Sequence, residues 1–162
     1  MNHNECVAKL RAVGKSFGFH DTHRIYGKMY ELGNPDCVWY YKGPGFKQLK
    51  KIARGDRYQY LPMVAFEVAF SEHEKQLRGS LVTLQLTNAA ASVIVLLGSS
   101  IKHRSYLKKL IGRYSFGRFR IWTEKDVSAL HDSVFGKETE VHTPQGSGVR
   151  PGPADGFGDT HS

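Results

Sequence analysis

Two acidic side chains occupy segments otherwise suited to burial. Asp36 opens the run Asp36-Cys37-Val38-Trp39-Tyr40-Tyr41, and Glu67 stands inside Met63-Val64-Ala65-Phe66-Glu67-Val68-Ala69-Phe70. An unpaired carboxylate in such surroundings costs several kcal/mol, so a fold that keeps two of them needs a compensating charge. Converging carboxylates offer hard oxygen donors to a divalent cation, or else they answer a buried basic partner. The first arrangement is the chemistry of a metal-dependent enzyme.

The elements that must position this pair follow from periodicity. Asn4 is placed to cap a first helix reaching Phe17, with Cys6, Val7, Leu10, Val13 and Phe17 at helical spacing. A strand is expected over His23 to Leu32, then a turn at Gly33-Asn34-Pro35 and a second strand from Asp36 to Lys42. Phe46 to Arg57 is a basic stretch with room for one short helix. Met63 to Phe70 is the next strand. Its alternation places Val64, Phe66, Val68 and Phe70 on one face and Met63, Ala65, Glu67 and Ala69 on the other. Glu67 is therefore its only charge, flanked by small residues.

Ser71, with Glu74 three residues on, is the expected capping box of a helix over residues 72–88, carrying a Leu77, Leu81, Leu84 and Asn88 stripe. Ser92 to Leu97 has the continuous apolar pattern of a central strand. A helix from Lys102 to Arg113, a strand from Arg118 to Trp122 and a helix opened by Thr123 and ending near Phe135 complete the order α-β-β-β-α-β-α-β-α. Such an order fits an α/β fold with a mixed central sheet flanked by helices. Residues 1–135 are read as one domain. Residues 136–162, rich in glycine, proline, serine and threonine, are read as a disordered tail.

Composition narrows the partners. The net charge is +8, from 23 Lys and Arg against 15 Asp and Glu, which favours a polyanion. Lys42, Lys47, Lys50, Lys51, Arg54 and Arg57 cluster in one connection. Lys102, Arg104, Lys108, Lys109, Arg113, Arg118 and Arg120 form a second group, interleaved with Tyr106, Tyr114, Phe116 and Phe119. Each cluster also reads as a solvated face. No apolar run approaches the roughly 20 residues of a membrane span. The absence of a basic-then-apolar start and the presence of only Cys6 and Cys37 lead to the expectation of a cytoplasmic protein. Neither an HExxH nor an HxxxH motif is present, which argues against a zinc site, and Gly98-Ser99-Ser100 lacks the lysine of a phosphate loop.

With Pro35-Asp36 opening one strand and Phe66-Glu67-Val68 in the next, followed by a capped helix, the chain resembles the PD-(D/E)XK superfamily of restriction-endonuclease-like nucleases. It looks closest to the small archaeal members, and the likeness runs over roughly residues 4–135. The resemblance implies a metal-dependent DNA endonuclease, with RNA left open as a substrate, in which Asp36 and Glu67 hold Mg2+ or Mn2+. It also implies a further acidic ligand on the first helix, for which Glu5 is available; an acid in a first turn serves the helix dipole as well.

The family's lysine, two residues past the glutamate, is here Ala69. Lys75 and Gln76 on the following helix are the candidate catalytic substitutes. Lys47, Lys50, Lys51, Arg54, Lys108, Lys109 and Arg113 are the candidate nucleic-acid contacts, and a homodimer is implied because cutting two strands calls for two sites. Two other readings remain open: a catalytically inactive nucleic-acid-binding module of the same fold, and a structural subunit of a larger complex.

Overall fold

A computed structural model describes residues 1–21, 34–43, 60–113 and 118–136. The helices and strands in order are α1 (His3–Ser16), β1 (Cys37–Tyr41), β2 (Leu61–Ala69), α2 (Glu74–Thr87), β3 (Ala91–Leu96), α3 (Arg104–Arg113), β4 (Phe119–Thr123) and α4 (Glu124–Phe135), with a 3-10 turn, Gly98–His103, leading into α3. The four strands form one mixed sheet in the order β1-β2-β3-β4. β1 pairs with β2 antiparallel, while β2–β3 and β3–β4 are parallel. The expected strand over 23–32, the basic stretch over 46–57 and the tail beyond 136 lie outside the described residues.

The sheet is covered on both faces, as the unbroken apolar pattern of β3 requires. On one face Cys37, Trp39, Phe66, Val68, Val93 and Val95 pack with Cys6, Leu10 and Val13 of α1 and Val127 of α4. On the other, Val38, Tyr40, Ala65, Ala69, Ile94 and Leu96 pack with Leu77, Leu81 and Leu84 of α2 and Leu107 of α3. The strict alternation along β2 thus points Glu67 toward α2, between Ala65 and Ala69.

Trp39 ties α1 to the sheet. Its indole N–H donates to the Leu10 carbonyl at 2.9 Å, and its ring packs against Phe66 with centroids 4.8 Å apart. The helix passes so close that a Cβ on Gly14 would sit 2.5 Å from the Trp39 ring, which explains a glycine inside a helix. This contact sets where the N-terminal turn of α1 falls relative to Asp36.

Two caps differ from those expected from the sequence. Asn2, not Asn4, caps α1: it is extended, and its Oδ1 accepts the Glu5 N–H at 2.9 Å. At α2 the N-cap is His73, whose N–H donates to Gln76 Oε1 at 3.0 Å, so helix begins two residues later than expected. The reason is tertiary. The Glu72 N–H is already taken by Ser100 Oγ at 2.8 Å, which holds the preceding turn against the end of β3. Helix α3 likewise starts at Arg104, because Gly98–His103 tightens into the 3-10 turn. At α4 the expected pairing is present, with Asp126 Oδ2 accepting from both the N–H and the hydroxyl of Thr123.

Candidate functional site

The register of β1 on β2 brings the two carboxylates together. Cys37 lies opposite Phe66, so Asp36, one residue ahead of β1, falls beside Glu67. Strand pairing ends there, and the Asp36 side chain continues it: Oδ2 accepts the Val68 N–H at 2.8 Å. Asp36→Ala would orphan that N–H at a cost of about 1–3 kcal/mol, whereas asparagine keeps an acceptor in place. Chemical denaturation should therefore find the alanine variant the less stable of the two; equal stabilities would count against this role for the side chain.

Two residues absent from the sequence-derived site complete it. His3 Nε2 stands 3.3 Å from Asp36 Oδ2. Glu72, just past the end of β2, turns back toward the same place and takes a hydrogen bond from Ser80 Oγ at 3.4 Å. Burial pushes the Glu67 carboxyl up to about 9, helped by the neighbouring charges of Asp36 and Glu72 and a hydrogen bond with Asp36. The Glu72 carboxyl is raised as well, mainly by burial and partly by Asp36, with the Ser80 hydrogen bond and His3 opposing. Among the described residues, burial and the mutual repulsion of these three carboxyls define the local electrostatics.

Open hollows flank the pair. One, of about 490 Å3, is lined by Glu67, Glu72, Gln76, Gly79, Ser80 and Thr83. Another, of about 560 Å3, is bounded by Asp36 together with His3, Asn4, Val7 and Arg11 of α1. Arg11 also donates to the Asp36 carbonyl at 3.3 Å and pairs with Asp21 at 2.8 Å.

Asp36, Glu67 and Gln76 thus meet around one region, while Lys75 and Glu5 do not. Lys75 is exposed and does not border the hollow that Gln76 lines. Glu5 is exposed, is paired with Lys9 at 3.7 Å, and does not border the hollow beside Asp36. The face of α1 turned to Asp36 carries His3, Val7 and Arg11 at intervals of about one turn, about 200° around the helix from Glu5. That i, i+4, i+8 spacing was the available signal for His3. For Glu72 the signal was an acid just beyond the strand that carries Glu67.

Lys108, Lys109 and Arg113 are exposed on α3. Lys47, Lys50, Lys51 and Arg54 lie outside the described residues. Both cysteines are free and buried, and burial lifts their thiols to about 11 at Cys6 and about 12 at Cys37, which removes them as nucleophiles.

Among the described residues, no group of three or more His, Cys, Asp or Glu side chains is arranged so that it could hold a metal ion. The donor chemistry nevertheless fits a hard cation. Magnesium is commonly held by one or two carboxylates, the rest of its shell being water and substrate phosphate. Asp36 and Glu67 are two neighbouring carboxyls of that kind. Among the described residues, no helix is long and apolar enough to cross a membrane.

Comparison with known proteins returns no match to any family model, curated protein or solved structure. Among the described residues the chain is a mixed α/β domain with a four-stranded sheet flanked by helices and a carboxyl cluster at the β1–β2 junction.

Proposed function

We propose that the chain is a metal-dependent nuclease of the restriction-endonuclease-like class, acting on DNA in the cytoplasm. The observation that carries this reading is the antiparallel register setting Asp36 beside Glu67, with Glu72 at their edge. Asp36 and Glu67 are the proposed ligands of Mg2+ or Mn2+. When bound, such an ion lowers the pKa of water and offsets charge on the scissile phosphate.

The chain's own groups prepare that event. The Val68 N–H and His3 hold one oxygen of Asp36, fixing the carboxylate plane. The raised affinity of Glu67 for its proton keeps its carboxyl neutral at neutral pH, and a bound cation would have to replace that proton. Gln76 lines the adjoining hollow with its Oε1 engaged by the His73 N–H, so its amide NH2 is the donor available to a water or phosphate oxygen. Lys108, Lys109 and Arg113, exposed on α3, are the proposed contacts to phosphates.

Ala69 favours a second reading. It is 1% exposed, packed into the core beneath α2 and α3, and its methyl group offers no charge to the carboxyl cluster. Under that reading the fold binds nucleic acid without cutting it.

One assay separates the two. Purified protein is incubated with plasmid, branched and single-stranded DNA in Mg2+ or Mn2+. Metal-dependent cleavage that disappears in Asp36→Asn, by about 100-fold or more, is the expected result, since even partners outside the ligand shell cost 10–100-fold. No cleavage of any substrate, or cleavage indifferent to Asp36→Asn, would sink the nuclease reading. Tight binding without turnover would leave the inactive binder.

A further inference from the structure

Helix α2 has a second face, turned away from the carboxyls and toward α3. There Leu81, Val82 and Leu86 of α2 and Tyr106 and Leu110 of α3 wall an open cleft of about 480 Å3. The two helices rest on the same face of the sheet, through Leu77, Leu81 and Leu84 on one and Leu107 on the other. Above that layer their apolar side chains leave the cleft open. Val82 and Leu86, one turn apart, are 53% and 39% exposed. Contiguous apolar surface of this kind, rimmed by polar groups, marks an interaction site.

The charges around it choose the occupant. Arg78 and Arg113 border the cleft, and among the described residues no acidic side chain lines it. Helix α3, Arg-Ser-Tyr-Leu-Lys-Lys-Leu-Ile-Gly-Arg, carries Arg104, Lys108, Lys109 and Arg113 without an acid. A second copy seated through the same cleft would set Arg78 and Arg113 against their own symmetry mates. Nucleic acid lying here would gain nothing from Val82 and Leu86, and the Tyr106 ring is already faced by the Arg78 guanidinium, 5.6 Å from its centroid. What satisfies both the apolar walls and the cationic rim is an amphipathic helix with acidic flanks.

We propose that the α2–α3 cleft docks such a helix from a partner protein. Its aliphatic residues, spaced i, i+3 or i+4 and i+7, seat against Leu81, Val82, Leu86 and Leu110. Its Asp and Glu side chains meet Arg78 and Arg113. Val82 also lines the hollow beyond Glu67, so the docked helix borders the carboxyl cluster. The docking requires nothing of the proposed hydrolysis, but it claims Arg113, one of the proposed DNA contacts, so a docked helix and DNA would compete for that side chain.

The test uses the full chain and three labelled synthetic peptides of about four helical turns. One carries leucines at that spacing with glutamate flanks; the second replaces each glutamate by lysine; the third replaces each leucine by serine. Fluorescence anisotropy should show binding of the acidic amphipathic peptide, weaker by about tenfold or more for either control. Leu86→Ser with Val82→Ser should reduce that binding by a similar factor, and Arg113→Glu should shift preference toward the lysine peptide. The substituted side chains are exposed, and circular dichroism verifies that the variants fold.

Equal binding of acidic and basic peptides overturns the proposal, as does binding unchanged by the double substitution. A concentration-dependent dimer abolished by Leu86→Ser would put a second copy in the cleft instead. Loss of DNA binding in the same variant, with no peptide bound, would put nucleic acid there.

Discussion

Glu67→Gln is expected to stabilise the metal-free protein above neutral pH while abolishing the proposed hydrolysis. The sign follows from linkage. In the folded chain the Glu67 carboxyl is raised from its ordinary 4.5 to about 9. Below the lower value both folded and unfolded chains hold the proton, and its contribution to stability is fully present. Between the two values the unfolded chain releases the proton and the folded chain retains it, so stability falls as pH rises. Above about 9 the loss is complete.

Glu67 keeps some contact with solvent, so the effect is on the order of 2–4 kcal/mol. Glutamine does not ionise, so the slope should flatten in the variant. Denaturant titrations at acidic, neutral and alkaline pH measure both slopes. Magnesium should act on the wild-type protein as a ligand of the folded state, raising its thermal midpoint at alkaline pH, and should lose that effect in Glu67→Gln. A variant less stable than wild type at alkaline pH, or one with an unchanged slope, would contradict this account of the site. A residue that weakens the fold and serves the chemistry is the pattern expected of a functional carboxylate.

The second large effect concerns salt. If Lys47, Lys50, Lys51, Arg54, Lys108, Lys109 and Arg113 meet phosphates, duplex DNA binding should fall by about 10³-fold or more between roughly 50 and 200 mM salt, because each neutralised phosphate releases counterions. Reversing Lys108 and Lys109 to glutamate should weaken binding to all sequences alike and make the salt dependence shallower. Both side chains are exposed, so the fold should tolerate the change. Equilibrium binding across a salt series measures this. Binding that barely responds to salt would remove the polyanion from the proposed function.

Taken alone, the sequence determined the local features. Alternation along β2 identified Glu67 as its only charge and put it on the face between Ala65 and Ala69. Helical spacing located α1 and α2, Thr123 marked the start of α4, and the unbroken apolar run of β3 required a strand covered on both sides. These are short-range periodicities, visible because burial of one face dictates them directly. Asp36 was recognisable as a charge at the start of a buried strand.

Which groups join that pair depends on long-range packing. His3 reaches Asp36 because Trp39 pins α1 across the sheet, and Glu72 turns inward because Ser100, far along the chain, holds its backbone. Glu5 is turned elsewhere by the rotation of the same helix, and Gln76 rather than Lys75 borders the hollow because the α2 cap begins at His73. Such contacts depend on strand register and helix docking between residues distant in sequence. No periodic pattern along the chain encodes them.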